Sequence, residues 1–194
     1  MVQALSEKIV KYAIQNDHIK QEQQEEYLYA LNLILNIIFT DITMLFIGFL
    51  MHMVWESIAF WLVYKILRKY CGGFHFGTSL TCYLSSCVMC PVVLLIIRYA
   101  PLNIAVWSVI TAAAAVFLLI FSPVSAANKP LDEKETVVFG KVARILVLLA
   151  AAAYTAMAVL SISTAVKIIS LSIVSVMLFV AAGVIQHLFL KNNI

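Results

Sequence analysis

Six apolar segments joined by short polar stretches constrain this chain more than any other feature. They cover residues 27–51, 55–67, 82–99, 103–121, 142–162 and 165–190. A helix needs about 20 residues to cross about 30 Å of hydrocarbon, so the second segment is short for a span. We count it as a span because six spans place both termini on the same side of the membrane. Only 12% of the residues are charged, about half the usual share in soluble domains. We predict an all-α integral membrane protein with six transmembrane helices, forming a single membrane domain over residues 1–194.

Residues 1–26 are expected to lie outside the spans. Val2, Leu5, Ile9 and Tyr12 recur at helical spacing with polar and charged residues on the other faces, a pattern typical of an amphipathic helix on the bilayer surface. The stretch is polar and carries acidic residues, which is unlike a cleaved signal peptide. We therefore predict an amphipathic cytoplasmic N-terminal segment, followed by the six-span region over residues 27–194.

The distribution of basic residues predicts the orientation of the spans. With a cytoplasmic N-terminus, eleven of the thirteen Lys and Arg residues lie inside, and only Arg98 and Lys167 lie outside. The positive-inside rule favours this arrangement, which places both termini and the stretch between spans two and three in the cytoplasm. The net charge is only +3, and the basic residues cluster at segment ends, so a nucleic-acid partner is not expected.

The stretch between the second and third segments combines His75 and Cys82 with three glycines, Gly72, Gly73 and Gly77. A thiol needs a nearby base to become a nucleophile. On one continuous helix the two side chains would be separated by about 10 Å along the axis, too far for proton transfer. Because glycine disfavours helix, we predict a break that forms a re-entrant or loop segment and brings His75 to Cys82. No third catalytic residue can be assigned.

Ser79 or Thr81 is expected to cap the third membrane helix, which would place Cys82 in its first turn. The helix dipole there favours a thiolate, and the nearby amides could hold an oxyanion. The alternative is that Cys82 fills space and His75 is an interfacial residue. Arg68 could bind a carboxylate of a peptide, pair with an acidic residue, or anchor the helix at the headgroups.

Other polar residues in the apolar segments suggest competing functions. Cys87 and Cys90 have redox-motif spacing, and His52 lies between two methionines, a set that suits a soft metal. A metal or small-solute transporter could use them together with Asp41, but no internal repeat accompanies them. For Asp41, packing or a helix contact is expected. A non-catalytic scaffold with a glycine hinge is the third hypothesis, and no metal or cofactor is predicted.

Taken together, the spaced residues resemble those of the accessory gene regulator B (AgrB) family, membrane peptidases that mature quorum-sensing pheromones of Gram-positive bacteria. The resemblance covers most of the chain. It rests on Arg68, Gly72, Gly73, His75 and Cys82, followed by Pro123 and the Asn-Lys-Pro run at 128–130. Cys71 is closer in sequence to His75, but Cys82 matches the position of the family nucleophile.

The resemblance implies a cysteine endopeptidase that removes the C-terminal tail of an AgrD-like precursor peptide at the cytoplasmic membrane face. Cys82 would attack the scissile carbonyl, His75 would act as base and then as acid, and a thiol or hydroxyl of the substrate would displace the acyl-thioester to give a thiolactone or lactone. A homodimer in the lipid bilayer is also implied. The residues expected to bind substrate or support the site are Arg68, Gly72, Gly73, Ser79, Thr81, Asn128 and Lys129.

Overall fold

A computed structural model describes residues 2–16, 18–74, 78–101, 103–125 and 132–192, with the side chains of 190–192 excepted. These ranges contain seven α-helices and no β-strand. The helices are α1 (Val2–Gln15), α2 (Gln24–Leu50), α3 (Val54–Cys71), α4 (Ser79–Tyr99), α5 (Ile104–Phe121), α6 (Glu133–Val159) and α7 (Ser163–Asn192). The six predicted apolar segments correspond to α2 through α7, so the all-helical prediction is confirmed.

Five of the described helices are long and apolar enough to cross a membrane. They are α2, α4, α5, α6 and α7. Their outward faces are covered with large apolar side chains, such as Leu50, Val109 and Leu149, which is the surface expected of a multi-pass membrane protein. The helix α3, which contains the predicted second span, is not among the five. It has 18 residues and carries Glu56, Lys65, Arg68 and Lys69.

The helix α7 forms the centre of the bundle and contacts α3, α4, α5 and α6. Small side chains allow this close packing, since Ser170 and Ser172 are both fully buried. The Thr111 hydroxyl on α5 donates to the Ser170 hydroxyl at 2.7 Å. Small residues let helix backbones approach closely, and hydroxyl groups between the helices supply hydrogen bonds in an apolar medium.

The two ends of the bundle are connected differently. At the end that we call the turn end, short connections join α2 to α3 through residues 51–53 and α6 to α7 through residues 160–162. Two cations close helix ends there: the Arg98 guanidinium donates to the carbonyl of Met51 at 2.9 Å, and the Lys167 ammonium donates to the carbonyl of Ala100 at 2.6 Å. Both residues were predicted at the same membrane face, and the structure places them at the same end.

The opposite end, which we call the glycine end, contains Gly72, Gly73 and the segment around Val124. The helix α6 begins here with a capping box, in which the Glu135 amide donates to Asp132 at 2.6 Å and the Asp132 amide donates to Glu135 at 3.3 Å. Asp followed three residues later by Glu satisfies two amides that have no helical partner. The apolar segment predicted over residues 142–162 is therefore part of a helix that begins nine residues earlier, at Glu133.

The N-terminal helix α1 packs against α2. Val10 is buried, and the Ser6 hydroxyl donates to the side-chain oxygen of Asn32 at 2.7 Å. Helix formation over residues 2–15 agrees with the predicted periodicity. The predicted apolar residues Leu5, Ile9 and Tyr12 are exposed, and charged residues such as Lys8 and Lys11 are exposed beside them.

Candidate active site

Gly72 and Gly73 end α3 and turn the chain into an extended segment. Their φ angles are +69° and +108°, a region that residues with a Cβ rarely adopt. The Gly73 amide donates to the Val124 carbonyl at 2.8 Å, and the Phe74 amide donates to the Phe179 carbonyl on α7, also at 2.8 Å. The predicted glycine break therefore exists, and its first half is held between two distant parts of the chain.

The packing around this segment leaves no room for a side chain at three glycines. A Cβ on Gly72 would collide with the Val124 carbonyl oxygen, and one on Gly73 would lie 2.6 Å from the Phe179 carbonyl oxygen. A Cβ on Gly183 of α7 would lie 2.8 Å from the Phe74 amide nitrogen. Gly183, Phe179 and Val124 were not singled out in the sequence, since contacts between distant segments leave no local pattern. A single glycine inside an apolar helix often marks a close packing contact. This signal could have identified Gly183, which lies one turn after Phe179 in α7.

Arg68 fixes the other side of the glycine segment. Its guanidinium donates to the carbonyls of Gly72 and Phe74, and it stacks on the Phe179 ring with 4.9 Å to the centroid. Among the described residues it forms no ion pair, because the single one there joins Asp41 and Lys65. Of the three alternatives for Arg68, an ion pair with an acidic residue is not found among the described residues, and the guanidinium contacts backbone carbonyls instead. The planar fork of an arginine suits two acceptors at once.

The start of α4 corrects the predicted helix cap. Thr78 is the N-cap, and its hydroxyl accepts from the Thr81 amide at 3.2 Å. Ser79 is the first helical residue, and Thr81 supports the cap through its own hydroxyl, which donates to the Thr78 carbonyl at 2.8 Å. Thr78 has the extended backbone that an N-cap requires, whereas Ser79 and Thr81 already have helical backbone. The Cys82 amide donates to the Thr78 carbonyl at 3.2 Å, so Cys82 closes the first turn.

Cys82 and Arg68 line the same cavity, which has a volume of about 860 Å³. Residues of α2 from Tyr29 to Leu45 form one wall, a length of about 24 Å at the rise of an α-helix. The other walls come from α3, the start of α4 and the glycine segment. The cavity is therefore long enough for a peptide segment, and it exposes a half-buried thiol at the beginning of a helix.

The other cysteines have surroundings that suit packing. Cys71 and Cys90 are completely buried, and Cys90 lies 3.7 Å from the hydroxyl of Ser57. Buried thiols in apolar surroundings are inert because nothing stabilises the thiolate. Cys87 is half-buried and packs against the core, but it does not line the cavity. Among the described cysteines, Cys82 alone combines access to the cavity with a position in the first turn of a helix.

Asp41 forms a helix contact, as the sequence analysis expected, and the contact is an ion pair. The Lys65 ammonium lies 2.8 Å from both carboxylate oxygens, and the Trp61 ring nitrogen donates to one of them at 2.7 Å. Lys65 is only six residues before Cys71, which is about 9 Å along the helix. Asp41 is therefore closer to the glycine end than its position in the second apolar half of α2 indicated.

Several predicted residues fall outside the described part of the chain. These are His75, Gly77, Asn128 and Lys129. A second histidine, His187 of α7, lies close to Ser125 and was not predicted as a site residue. The ring nitrogen Nε2 of His187 is 2.7 Å from the Ser125 carbonyl oxygen, and Ser125 lines the cavity.

The proposed soft-metal set does not come together in the described residues. No group of three or more His, Cys, Asp or Glu side chains there could hold a metal ion. His52 lies in the turn between α2 and α3 with a φ of +54°, at the turn end. Cys87 and Cys90 lie within α4, so these two parts of the suggested site belong to different regions.

Comparisons with known proteins identify one family. The model of the family described as Accessory gene regulator B matches residues 6–189, nearly the whole chain. No curated protein and no solved structure matches the chain significantly. The match includes every residue of the candidate site, so the family resemblance noted in the sequence is confirmed.

Proposed function

The chain belongs to the accessory gene regulator B family, and from this membership we propose that it is a membrane-embedded cysteine endopeptidase. Family membership supports a role in autoinducer processing and implies an AgrD-like propeptide as its partner. In this proposal the enzyme removes the C-terminal tail of that propeptide and promotes cyclisation of the remaining peptide. Cys82 is the nucleophile and His75 is the base.

The observation that carries the proposal is the position of Cys82. Its thiol lies in the first turn of α4 and lines a cavity about 24 Å long that also contains Arg68. A nucleophilic thiol must be accessible to its substrate, and Cys82 meets this requirement because it is partly exposed at the wall of the cavity. Cys71 lies closer in sequence to His75, but it is completely buried and has no access to substrate.

The proposed reaction begins with attack of the Cys82 sulfur on the scissile carbonyl carbon. His75 takes the thiol proton and gives it to the nitrogen of the departing tail, so that a C–S bond replaces a C–N bond. The amides of the first turn of α4 that have no helical acceptor supply donors for the oxyanion of the intermediate. Ser79 and Thr81 contribute to this step through the backbone they position.

A thiol or hydroxyl of the peptide then attacks the acyl-thioester and closes a thiolactone or lactone, which regenerates the Cys82 thiol. With a thiol nucleophile one thioester replaces another, so release of the tail or the product must pull the step forward. Water would compete for the acyl-enzyme, and a cavity walled by apolar residues such as Leu33, Ile37 and Leu62 would limit its access.

Arg68 and the glycines have a positioning role in this proposal. The guanidinium holds the carbonyls of Gly72 and Phe74, immediately before His75 in the chain. Fixing this segment limits the positions that the imidazole can take relative to Cys82, and a small misplacement of a catalytic group is costly. Asn128 and Lys129 are proposed to bind the propeptide from the segment that follows Ser125.

We further propose that α3 completes a six-span topology and that α1 lies on the bilayer surface. The exposed apolar residues of α1, Leu5, Ile9 and Tyr12, would face the lipid, with Lys8 and Lys11 beside them. Eleven basic residues then lie in the cytoplasm together with both termini and the active site. A re-entrant or loop segment between the second and third spans and a homodimer in the cell membrane complete the proposal.

The test is processing of an AgrD-like propeptide by the full-length protein in proteoliposomes. Cys82→Ala is expected to abolish release of the tail, whereas Cys71→Ala is expected to leave it within threefold of the wild-type rate. Cys71 is buried in the α3 core, so its variant controls for the loss of a thiol. Unchanged processing by Cys82→Ala would contradict the proposal.

A further inference from the structure

Asp41 and Lys65 form an ion pair in the wall of the cavity that also exposes Cys82. The Lys65 ammonium lies 2.8 Å from each carboxylate oxygen of Asp41. The Trp61 ring nitrogen donates to Asp41 Oδ1 at 2.7 Å, which fixes the orientation of the carboxylate. Three side chains from two helices therefore present one ordered polar group in a largely apolar channel.

This pair differs from a polar contact that only joins two helices. Ser57 on α3 makes such a contact, because its hydroxyl donates to the Met44 carbonyl on α2 at 2.9 Å and the residue is 1% exposed. The side chains of Lys65 and Asp41 keep relative exposures of 38% and 39%. Charged groups within an apolar segment are costly and usually face a functional cavity. Asp41 and Lys65 meet this description.

The pair is also close to the proposed reaction centre. Lys65 precedes Arg68 by three residues on α3, which separates them by about 4.5 Å along the axis. Arg68 in turn holds the glycine segment. A peptide that reaches Cys82 through the cavity would therefore pass the pair within a few residues of the bond that is cleaved.

Among the described residues, the hydrogen bonds of the pair leave one donor and one acceptor unused. An ammonium group has three N–H donors, and at most two of them bind Asp41. Within the same described part of the chain, Asp41 Oδ2 accepts from Lys65 alone, although a carboxylate oxygen can accept more than one hydrogen bond. The pair is electrically neutral, so it has no net preference for a charged ligand.

We propose that Asp41 and Lys65 bind one backbone amide of the propeptide, with Asp41 Oδ2 accepting from its N–H and Lys65 donating to a neighbouring carbonyl. An extended peptide in the cavity has backbone N–H and C=O groups without hydrogen-bond partners, and an apolar wall supplies few such partners. The pair would fix the register of the peptide relative to Cys82. The inference rests on the proposed function and adds a binding site to it.

The first test compares single and exchanged variants of the pair in proteoliposomes, with the propeptide that the wild-type protein cleaves. Asp41→Asn and Lys65→Met are each expected to raise KM at least tenfold with kcat within threefold. The double variant Asp41→Lys with Lys65→Asp restores an ion pair, but the ammonium group is then on α2 and the carboxylate is on α3. Because the positions of donor and acceptor no longer match the peptide backbone, we expect the KM to stay raised. Recovery of the wild-type KM in the double variant would show that the pair only joins α2 and α3 and would overturn the inference.

The second test replaces single amides of the propeptide by esters. One position near the cleaved bond is expected to raise KM at least fivefold with the wild-type protein, and to have no further effect with Asp41→Asn. An ester series with no such position would overturn the inference. Ser57→Ala is the matched control for the α2–α3 interface and is expected to leave KM unchanged.

The two proposals fail in different ways. A propeptide that is processed equally well by Cys82→Ala would contradict the cysteine peptidase itself. Processing that requires Cys82 but keeps its KM in both Asp41→Asn and Lys65→Met would contradict only the amide site.

Discussion

The two ends of the bundle use the same backbone conformation for different purposes. At the turn end, His52 and Ser161 have φ angles of +54° and +57°, and each lies in a short connection between consecutive helices. At the glycine end, Gly72 and Gly73 have positive φ angles and contact Val124 and α7. In a local turn, a residue with a Cβ can take a positive φ angle at a modest energetic cost. Where two backbones cross, as at Gly72 and Gly73, there is no space for a Cβ.

This difference explains where a site can form. The turn end is closed by local hydrogen bonds and by the cations Arg98 and Lys167. The glycine end is held by hydrogen bonds between segments that are about 50 and 100 residues apart in the chain. Such contacts fix an extended segment beside the first turn of α4, where Cys82 meets the cavity. The proposed chemistry therefore depends on hydrogen bonds between crossing backbones, whereas the long-range contacts at the turn end are made by the side chains of Arg98 and Lys167.

The largest effect is expected from Gly73→Ala. The new Cβ would lie 2.6 Å from the Phe179 carbonyl oxygen, and the residue would keep a strained φ angle. We expect a loss of about 3 kcal/mol in stability, from overpacking and backbone strain together, with loss of processing. Thermal unfolding in detergent micelles measures the first effect. An unchanged melting temperature would contradict the close crossing at α7.

The next effect is expected from Arg68→Lys, which keeps the charge but removes the fork. One ammonium group cannot reproduce the paired contacts of a guanidinium with the carbonyls of Gly72 and Phe74. We expect processing to fall at least tenfold while the protein remains folded, because the segment before His75 loses a support. Full activity in Arg68→Lys would mean that charge alone matters, and the proposed positioning role would be wrong.

A smaller effect is expected at the turn end from Lys167→Met. The variant removes the donor to the Ile97 and Ala100 carbonyls at the end of α4 and keeps a side chain of similar length. We expect a loss of about 1 kcal/mol in stability and processing within twofold of wild type. A large loss of processing without unfolding would show that the two ends are coupled, and it would contradict the claim that the site depends on the glycine end.

The smallest effect is expected from His52→Gly. Glycine removes the strain of the positive φ angle but makes the unfolded chain more flexible, so the net change should stay within about 1 kcal/mol of zero. Processing should be unchanged. The same variant tests the transporter hypothesis. If the protein transported metal through a site that uses His52, vesicles with His52→Gly would take up less metal than vesicles with the wild-type protein.

The sequence predicted the helical fold well because apolar segments and helix caps are local features. The six apolar segments correctly predicted α2 through α7 as helices, although α3 is not among the five that are long and apolar enough to cross a membrane. The cap of α4 was assigned to Ser79 or Thr81 instead of Thr78, since three hydroxyl residues in four positions are equally good candidates on spacing alone.

The site was predicted less completely because its key contacts are nonlocal. Gly72, Gly73 and Cys82 were identified from the sequence, yet the crossing with Val124 and Gly183 was not. The contacts of Arg68 with the carbonyls of Gly72 and Phe74 were not predicted, because they depend on how the chain turns after α3. For Asp41 a helix contact was predicted without its partners, because Lys65 and Trp61 lie on a different helix.

The most direct test of the central claim is mass spectrometry of the protein trapped during the reaction with its propeptide. Rapid acid quenching followed by proteolysis should yield a Cys82 peptide whose added mass equals that of the propeptide without its tail, and hydroxylamine should remove this mass as expected for a thioester. The same adduct on Cys71, or cleavage of the tail with no adduct on any cysteine of the wild type and undiminished cleavage by Cys82→Ala, would contradict the account.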